Sequence, residues 1–297
     1  MKTLCFKVVF MVSAFLVISA SSYRICSAQH EGIGGIEFHS NFIAASNFAD
    51  RDSGSEVETF SAGTGISLHG VNIGYDYTSF TWDKANLLPF GNGKDDPWEE
   101  MHSINLGYDH SDMFGHNWGY FFNIGGASEF EKEMEDSFIA IGFAGLICNI
   151  PEWRMTFRLG GGAFYNPVET EAIPIIGMDW NSRAESGLSF SLGVPTTQVA
   201  YRFSPKTALS IGIGFGEDGI YRLADDSTVE KKGYLETEGM GGMLAFTFAP
   251  IEGCTVTLGG VTNFDREYTI YDKDGDNGRS YDLDDATGGF ASIGFEF

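Results

Sequence analysis

Apolar side chains alternate with small or polar side chains along most of the chain from about residue 32. In the last segment, Phe295 and Phe297 alternate with Gly294 and Glu296. Because successive side chains of a strand point to opposite faces, such a segment has one face suited to lipid and one suited to water. The last strand of a soluble β-sandwich shows the same alternation, so this segment does not decide between the two folds by itself.

Alternating segments of this kind recur along the chain with turn residues between them. They predict an all-β, single-chain antiparallel transmembrane β-barrel of about 14 strands, with 12 as the alternative and no plug domain. No change in composition divides the chain after residue 28, so we expect one barrel domain over residues 29–297. The predicted strands are 32–46, 57–68, 71–83, 100–109, 117–128, 137–148, 153–165, 173–181, 187–194, 197–203, 207–222, 232–248, 254–271 and 287–297.

The connections between these strands fall into two kinds. With both termini on the periplasmic side, the outward connections are long or acidic and the inward ones are short, apart from the short outward connection 195–196. Outer-membrane barrels have this asymmetry, whereas a soluble sandwich gives no reason for it. The longest connections, 84–99 and 272–286, are the candidates for folding into the bore.

Large aromatic residues fall near the ends of the predicted strands rather than at their centres. Barrels place such side chains at the two membrane–water interfaces, whereas soluble folds concentrate them in the core. The predicted membrane-interface aromatics are Trp82, Trp118, Trp153, Trp180 and Phe297.

The first residues have the form of an export signal. Lys2 and Lys7 precede an apolar run over residues 8–20, which is too short to span a membrane as a helix. Cleavage is expected after Ala28, with Ala20 as the alternative. The sequence therefore predicts a signal peptide over residues 1–28 and a place in the outer membrane of a Gram-negative-type bacterium, with both termini periplasmic.

The charge balance narrows the range of partners. Loss of Lys2, Lys7 and Arg24 with the signal changes the formal net charge from -23 to -26. Such a chain repels nucleic acid. The expected partners are outer-membrane lipid and the barrel-insertion machinery, with divalent cations as candidates at the acidic loops.

The lumen face of the predicted strands is rich in glycine and serine but carries a few charges. Glu37 and Asp76 lie on the first and third strands, whereas Arg154, Arg158 and Arg202 lie on the seventh and tenth. Acids and arginines therefore face each other across the bore, and such a transverse field sets ion preference in pores. Alternatively, each charge pairs with a neighbour in the wall.

Catalytic and metal-binding patterns are weak. There is no G-x-S-x-G motif, and the sequence offers a rim hydrolase only through His102 beside Glu99 and Glu100. Asp272, Asp274 and Asp276 have the spacing that begins a calcium loop, but the later positions of the EF-hand pattern do not follow. We expect no enzyme, no cofactor and at most a loose cation site in this loop.

The mature chain keeps two cysteines, Cys148 and Cys254. They belong to the sixth and thirteenth predicted strands, about half the barrel circumference apart. Because a disulfide needs Cα atoms within about 7 Å, we predict that the two are unpaired.

The second half of the chain resembles an uncharacterised family of predicted outer-membrane barrel proteins, a domain of unknown function. The resemblance rests on GVPTTQVAYRFS at 193–204, IYRLADD at 220–226 and YLE at 234–236. It covers residues 150–297 well and the first half only by general pattern. It implies a barrel and an outer-membrane location, but no activity or site residues.

Three functions remain open at this point. The first is a passive channel or porin for small hydrophilic solutes. The second is a closed structural or surface-binding barrel that acts through its acidic loops, and the third is the rim hydrolase. The sequence names neither the solute nor the oligomeric state.

Overall fold

A computed structural model gives the structure of the chain and describes residues 34–48, 54–182, 186–194, 196–215 and 219–297. The predicted signal peptide lies outside these residues. No helix in the described part of the chain is long and apolar enough to cross a membrane. The described residues form one 3₁₀ turn, Ala85–Leu87, and sixteen strands: β1 Gly34–Asn47, β2 Glu56–Leu68, β3 Val71–Asp83, β4 Glu100–Met113, β5 Trp118–Phe130, β6 Phe138–Ile150, β7 Met155–Tyr165, β8 Thr170–Asn181, β9 Gly187–Gly193, β10 Thr197–Ser204, β11 Thr207–Phe215, β12 Gly219–Arg222, β13 Tyr234–Phe248, β14 Cys254–Tyr271, β15 Arg279–Leu283 and β16 Ala286–Glu296.

Fourteen of these described strands close into one antiparallel barrel. The first and last strands pair over nine positions, from Gly35 opposite Glu296 to Ile43 opposite Gly288. The two strands outside the wall are β12 and β15, because β11 pairs directly with β13 and β14 pairs directly with β16. The prediction of an antiparallel barrel of 14 strands is confirmed, and the described residues contain no separate plug domain.

The outer surface of the wall is apolar. Leu106, Ile176 and Ile211 point away from the lumen and are 58, 62 and 61% exposed. Soluble proteins seldom expose so much contiguous apolar surface, whereas the hydrocarbon of a bilayer covers it in a membrane barrel. The chain is therefore an outer-membrane β-barrel.

The two ends of the barrel differ as the connections predict. At the end we call the turn end, the connections are two to five residues long, and Gly34 pairs there with Phe297. At the opposite end, the loop end, they run from three residues, at 194–196, to eighteen, at 216–233. The predicted alternation of short turns and long or acidic loops is confirmed, together with its exception between β9 and β10, although the connection between β7 and β8, at 166–169, is four residues long rather than the predicted seven.

One predicted strand is wrong. The segment predicted as a single strand over 207–222 ends as wall strand β11 at Phe215, and Gly219–Arg222 forms the separate strand β12. Apolar residues resume at Ile220 because β12 is packed on two faces, and these faces lie inside the barrel.

The two cysteines lie on different parts of the wall. Cys148 belongs to β6, Cys254 begins β14, and both thiols are free. The prediction that they are unpaired is confirmed.

Candidate functional site

A small sheet crosses the loop end of the barrel. It consists of β12, the first residues of β13 (234–238), the last residues of β14 (266–271) and β15, paired in that order, and we call it the lid. One edge of the lid reaches β5, where Arg222 lies beside Phe130, and the other reaches the end of β1, where Leu283 lies beside Phe48. Because β5 and β13 are seven strands apart around the wall of fourteen, the lid spans the mouth.

One face of the lid packs on a core that is rich in aromatic rings, the aromatic cluster. Loop 84–99 folds inward to supply part of it, as the sequence suggested for this loop. Trp98 is 1% exposed and stacks on Phe90 with ring centroids 5.6 Å apart. The buried members of the cluster are Phe48, Val57, Phe80, Leu88, Phe90, Trp98, Met101, Leu223, Leu235, Tyr268, Ile270 and Leu283.

The opposite face of the lid packs on a different part of the wall. Ile220 and Tyr234 of the lid belong to a second buried cluster, whose other members are Ile139, Ile141, Phe164 and Ile173. Both faces of the lid are therefore buried. This explains why apolar residues occupy both parities of these short strands, a pattern typical of a strand that is covered on two sides.

Three glutamates at the end of β5 hold the first strand of the lid, and we call them the latch. Their carboxylates accept backbone N–H groups of β12 and of the residues that follow it: Glu129 from Ile220 at 3.0 Å, Glu131 from Ala224 at 2.8 Å and Glu133 from Asp225 at 3.1 Å. A backbone bond from Glu131 N–H to the Arg222 carbonyl, 2.9 Å long, adds to them. Burial raises the pKa of Glu131, and the bond from Ala224 N–H opposes that rise.

A buried arginine completes the attachment of the lid. Arg222 is 2% exposed and donates to Asp225 at 2.5 Å, to the Leu223 carbonyl at 3.0 Å and to Glu133 at 3.4 Å. The hydrogen bond from Arg222 lowers the pKa of the Asp225 carboxyl. Because Arg222 belongs to the lid and Glu133 to the loop after β5, the charge of Arg222 ties the lid to that loop.

Below the lid, the lumen face of the wall carries the first predicted pair of acids. Asp76 accepts a hydrogen bond from His39 Nε2 at 2.6 Å, and Glu37 lies next to His39 on β1. The hydrogen bond between His39 and Asp76 passes over Gly63 of β2, which lies opposite His39 on one side and opposite Asp76 on the other. Asp76 is therefore paired with a neighbour in the wall, which is the second of the two arrangements that the sequence left open for the lumen charges.

The missing side chain of Gly63 makes room for this pair. A Cβ built on Gly63 would overlap Asp76 Oδ1 and lie 2.5 Å from His39 Nε2, so Gly63→Ala is expected to break the hydrogen bond. The expected loss is about 1–3 kcal/mol of unfolding free energy, since two part-buried polar groups lose their partner. Urea unfolding of the barrel in lipid vesicles measures it.

Gly65→Ala is the matched control for this change. A Cβ there meets only the Ile73 carbonyl, at 3.9 Å. Equal losses of unfolding free energy in the two variants would show that any side chain at these positions destabilises β2. The hydrogen bond between His39 and Asp76 would then not be the cause.

The predicted arginines take different positions. Arg158 faces the lumen with 46% of its side chain exposed and forms an ion pair with Asp179, which also accepts a hydrogen bond from Ser191 at 2.7 Å. Arg202 lies on β10 with its side chain on the lumen face. Arg154 does not lie in a strand, because β7 begins at Met155. It occupies the exposed turn before β7 with a φ of 59°.

Four of the five predicted interface aromatics lie on the outside of the barrel or at its turn end. Trp118, Trp153 and Phe297 are 50, 64 and 63% exposed, and Trp180 stacks on Phe190 on the outer face. The position predicted for Trp82 needs correction. Its ring points inward and packs against the aromatic cluster, because the inward face of β3 at the loop end meets buried apolar groups rather than water.

The weak chemical candidates are placed as follows. His102 lies on the outer face of β4, where its Nδ1 is 2.9 Å from the Tyr75 hydroxyl and its ring neighbours Phe130. The Asp272 carboxylate accepts the backbone N–H groups of Asp274 and Asp276, so it shapes its own turn. Within the described ranges, no group of three or more His, Cys, Asp or Glu residues is placed to hold a metal ion.

Sequence reasoning missed the lid and the latch. The latch had a signal in the sequence. Glu129, Glu131 and Glu133 stand at every second position, in step with the inward side chains of β5, and they lie beyond residue 128, where the predicted strand ended. A signal for the lid was present too. Ile220, Tyr221 and Leu223 are apolar on both parities, which does not suit a wall strand with a wet inner face.

Comparisons with known proteins find similarity only at the level of the fold. No protein-family model and no curated protein matches the chain. The solved outer membrane protein Omp33 of Acinetobacter baumannii is 9% identical with a TM-score of 0.44, covering 90% of this chain and 98% of its own. An outer membrane channel of Pseudomonas putida F1 is 9% identical, with a TM-score of 0.41 and coverages of 91% and 98%. The KdgM porin is 6% identical, with a TM-score of 0.36 and coverages of 89% and 99%.

These likenesses are too weak to say more than the strand pairing of the chain already says. The resemblance of residues 150–297 to an uncharacterised family of barrels stays a prediction.

Proposed function

We propose that the protein is a passive outer-membrane channel for small hydrophilic solutes, closed at its loop end by the lid in this conformation. The observation that carries the proposal is the wet, polar lining below the lid. There the side chains of His39, Arg158 and Asp179 are 32, 46 and 28% exposed although they point into the barrel. A wall of 14 strands is wider than the eight-stranded barrels that side chains fill, so its lumen leaves room for water.

The proposal includes an orientation and the residues that border the path. Both termini and the turn end face the periplasm of a Gram-negative-type bacterium, and the loop end faces outward. Glu37, Asp76, Arg158 and Arg202 border the bore, and Arg154 stands at its turn-end mouth. Outer-membrane lipid surrounds the apolar belt, and the barrel-insertion machinery places the chain there.

Single-channel recording in planar bilayers tests the proposal through the latch. The wild-type protein is expected to conduct in brief openings, and the double variant Glu131→Ala/Glu133→Ala to be open about 30-fold to several hundredfold more of the time. The reason is that Ala224 N–H and Asp225 N–H lose charged acceptors, each worth about 1–2 kcal/mol. Glu135→Ala is the matched control, since Glu135 is an exposed glutamate of the same loop.

A second function is favoured by one observation, the complete burial of the aromatic cluster beneath the lid. Such a core suits a closed barrel that acts through its acidic loops, with divalent cations or a partner bound outside. Discrete conductance that rises in the latch variant supports the channel. Absence of conductance from the wild type and from the latch variant alike rejects the channel in favour of the closed barrel.

A further inference from the structure

Carboxylates dominate the charge on the lumen face of the wall. The strand register and the burial pattern place the basic side chains Arg158, Arg202 and His39 there. Against these three stand six acids on inward positions of the described wall: Glu37, Asp76, Asp109, Glu171, Asp179 and Glu296. The bore is therefore negative along its length and not only at the loops.

The basic groups inside the barrel are also bound to other groups. Asp179 holds Arg158 in an ion pair. In the lid, Arg222 and Arg266 are each 2% exposed, and Arg266 donates to Ser46 and to the Asp284 carbonyl. The carboxylate of Asp179 offsets the charge of Arg158, and burial keeps Arg222 and Arg266 away from anions in solution.

The lid adds further carboxylates on the face that looks away from the aromatic cluster. Glu236 receives a hydrogen bond from the Tyr271 hydroxyl at 2.8 Å, and Glu238 pairs in register with Glu267 on the next strand. Glu169, from the loop between β7 and β8, is a charged neighbour of Glu236. The aromatic cluster fills one side of the lid, and Ile220 and Tyr234 hold the other side against the wall. A solute that passes when the lid is released from the wall therefore moves along this acidic side.

The geometry points to a channel that passes cations in preference to anions, with small inorganic cations and organic ammonium ions as its solutes. The inference rests on the proposed channel function. Charged side chains that line a narrow water-filled path raise the local concentration of the opposite ion, and rings of Asp and Glu make pores cation-selective. Selectivity here comes from the field of many carboxylates, and it requires no bound ion at any one of them.

The reversal potential in a potassium chloride gradient across a planar bilayer tests this inference. The latch variant Glu131→Ala/Glu133→Ala is used beside the wild type, because it gives longer openings. Potassium is expected to permeate at least about fivefold better than chloride. Adding Glu236→Gln/Glu238→Gln removes two acids beside the lid and is expected to lower the ratio about threefold.

Two further variants serve as a control and as a second test of the lumen charge. Glu58→Gln is the matched control, because Glu58 lies on the outer face of β2, and it should leave the ratio unchanged. Glu37→Gln/Asp76→Asn removes two acids below the lid and should also lower the ratio, so the test stands even where the lid variant folds poorly.

The outcomes separate this inference from the function on which it rests. Conductance with a potassium-to-chloride ratio of one or less overturns the cation preference and leaves the channel in place. A ratio that neither pair of lumen substitutions lowers also overturns it. Absence of conductance from all variants removes the channel and the preference together.

Discussion

Replacing Trp98 by alanine is expected to free the loop end of the barrel while leaving the wall intact. Trp98 is 1% exposed and touches rings from the loop and from the lid, with centroid distances of 5.6 Å to Phe90 and 6.3 Å to Tyr268. Removing a buried tryptophan costs about 3–5 kcal/mol, because apolar contacts are lost and a cavity remains. The wall strands keep their hydrogen bonds, so this loss falls on the packing of the lid and of loop 84–99.

Hydrogen exchange read by mass spectrometry measures the change region by region. A loss of about 3 kcal/mol predicts exchange roughly a hundredfold faster in residues 84–99 and 266–271, with little change in the middle of β6 or β7. Single-channel recordings of the same variant should show longer openings.

Trp153→Ala is the control for this experiment. Trp153 is 64% exposed in a turn at the opposite end of the barrel, so its loss should leave exchange at the lid unchanged. If Trp98→Ala leaves exchange at the lid unchanged as well, the aromatic cluster does not hold the lid, and the latch alone must do so.

Most of the wall could be predicted from the sequence because one rule governs it. Each wall strand meets lipid on one side and the lumen on the other, so its side chains alternate with period two and its ends carry turn residues. The predicted strand over 71–83 matches β3 at both ends, and the one over 254–271 matches β14. The face of a residue such as Leu106 or Asp76 follows from the same rule.

The rule does not tell what fills the lumen, and it does not apply to segments that leave the wall. Trp82 has the parity of Asp76 and points inward, but at the loop end it meets apolar groups from distant parts of the chain rather than water. Leu223 and Leu235 belong to the same core, and only the three-dimensional structure brings them to loop 84–99. Pairing across the bore leaves no period in a sequence, so the lid could not be derived from alternation.

The lumen charges show a different limit. Parity correctly places Glu37, Asp76 and Arg158 on the inner face, but it does not tell which neighbour each one meets. His39 reaches Asp76 because Gly63 leaves space between them, and Arg158 reaches Asp179 across one pair of strands. Such contacts depend on the register between strands, which the sequence of one strand does not contain.

Arg222→Ala is expected to release the lid more strongly than the loss of any exposed charge in the same region. The guanidinium is 2% exposed and is the common donor to Asp225, Glu133 and the Leu223 carbonyl. Its removal leaves a cavity and an unpaired carbonyl, at a cost of about 2–3 kcal/mol. The fraction of time spent open should rise by roughly 30-fold to a hundredfold, measured as time-averaged conductance and as exchange of residues 219–226.

Lys232→Ala is the matched control, because Lys232 also pairs with Asp225, at 3.3 Å, but is 54% exposed. Exposed pairs contribute about 0–1 kcal/mol, so this variant should change the open fraction less than about fivefold. Arg222→Lys keeps the charge and loses the planar fork that serves three acceptors, and an intermediate effect is expected. If Lys232→Ala opens the lid as much as Arg222→Ala does, the negative charge of the loop end rather than the buried guanidinium controls the lid, and the role given to Arg222 is wrong.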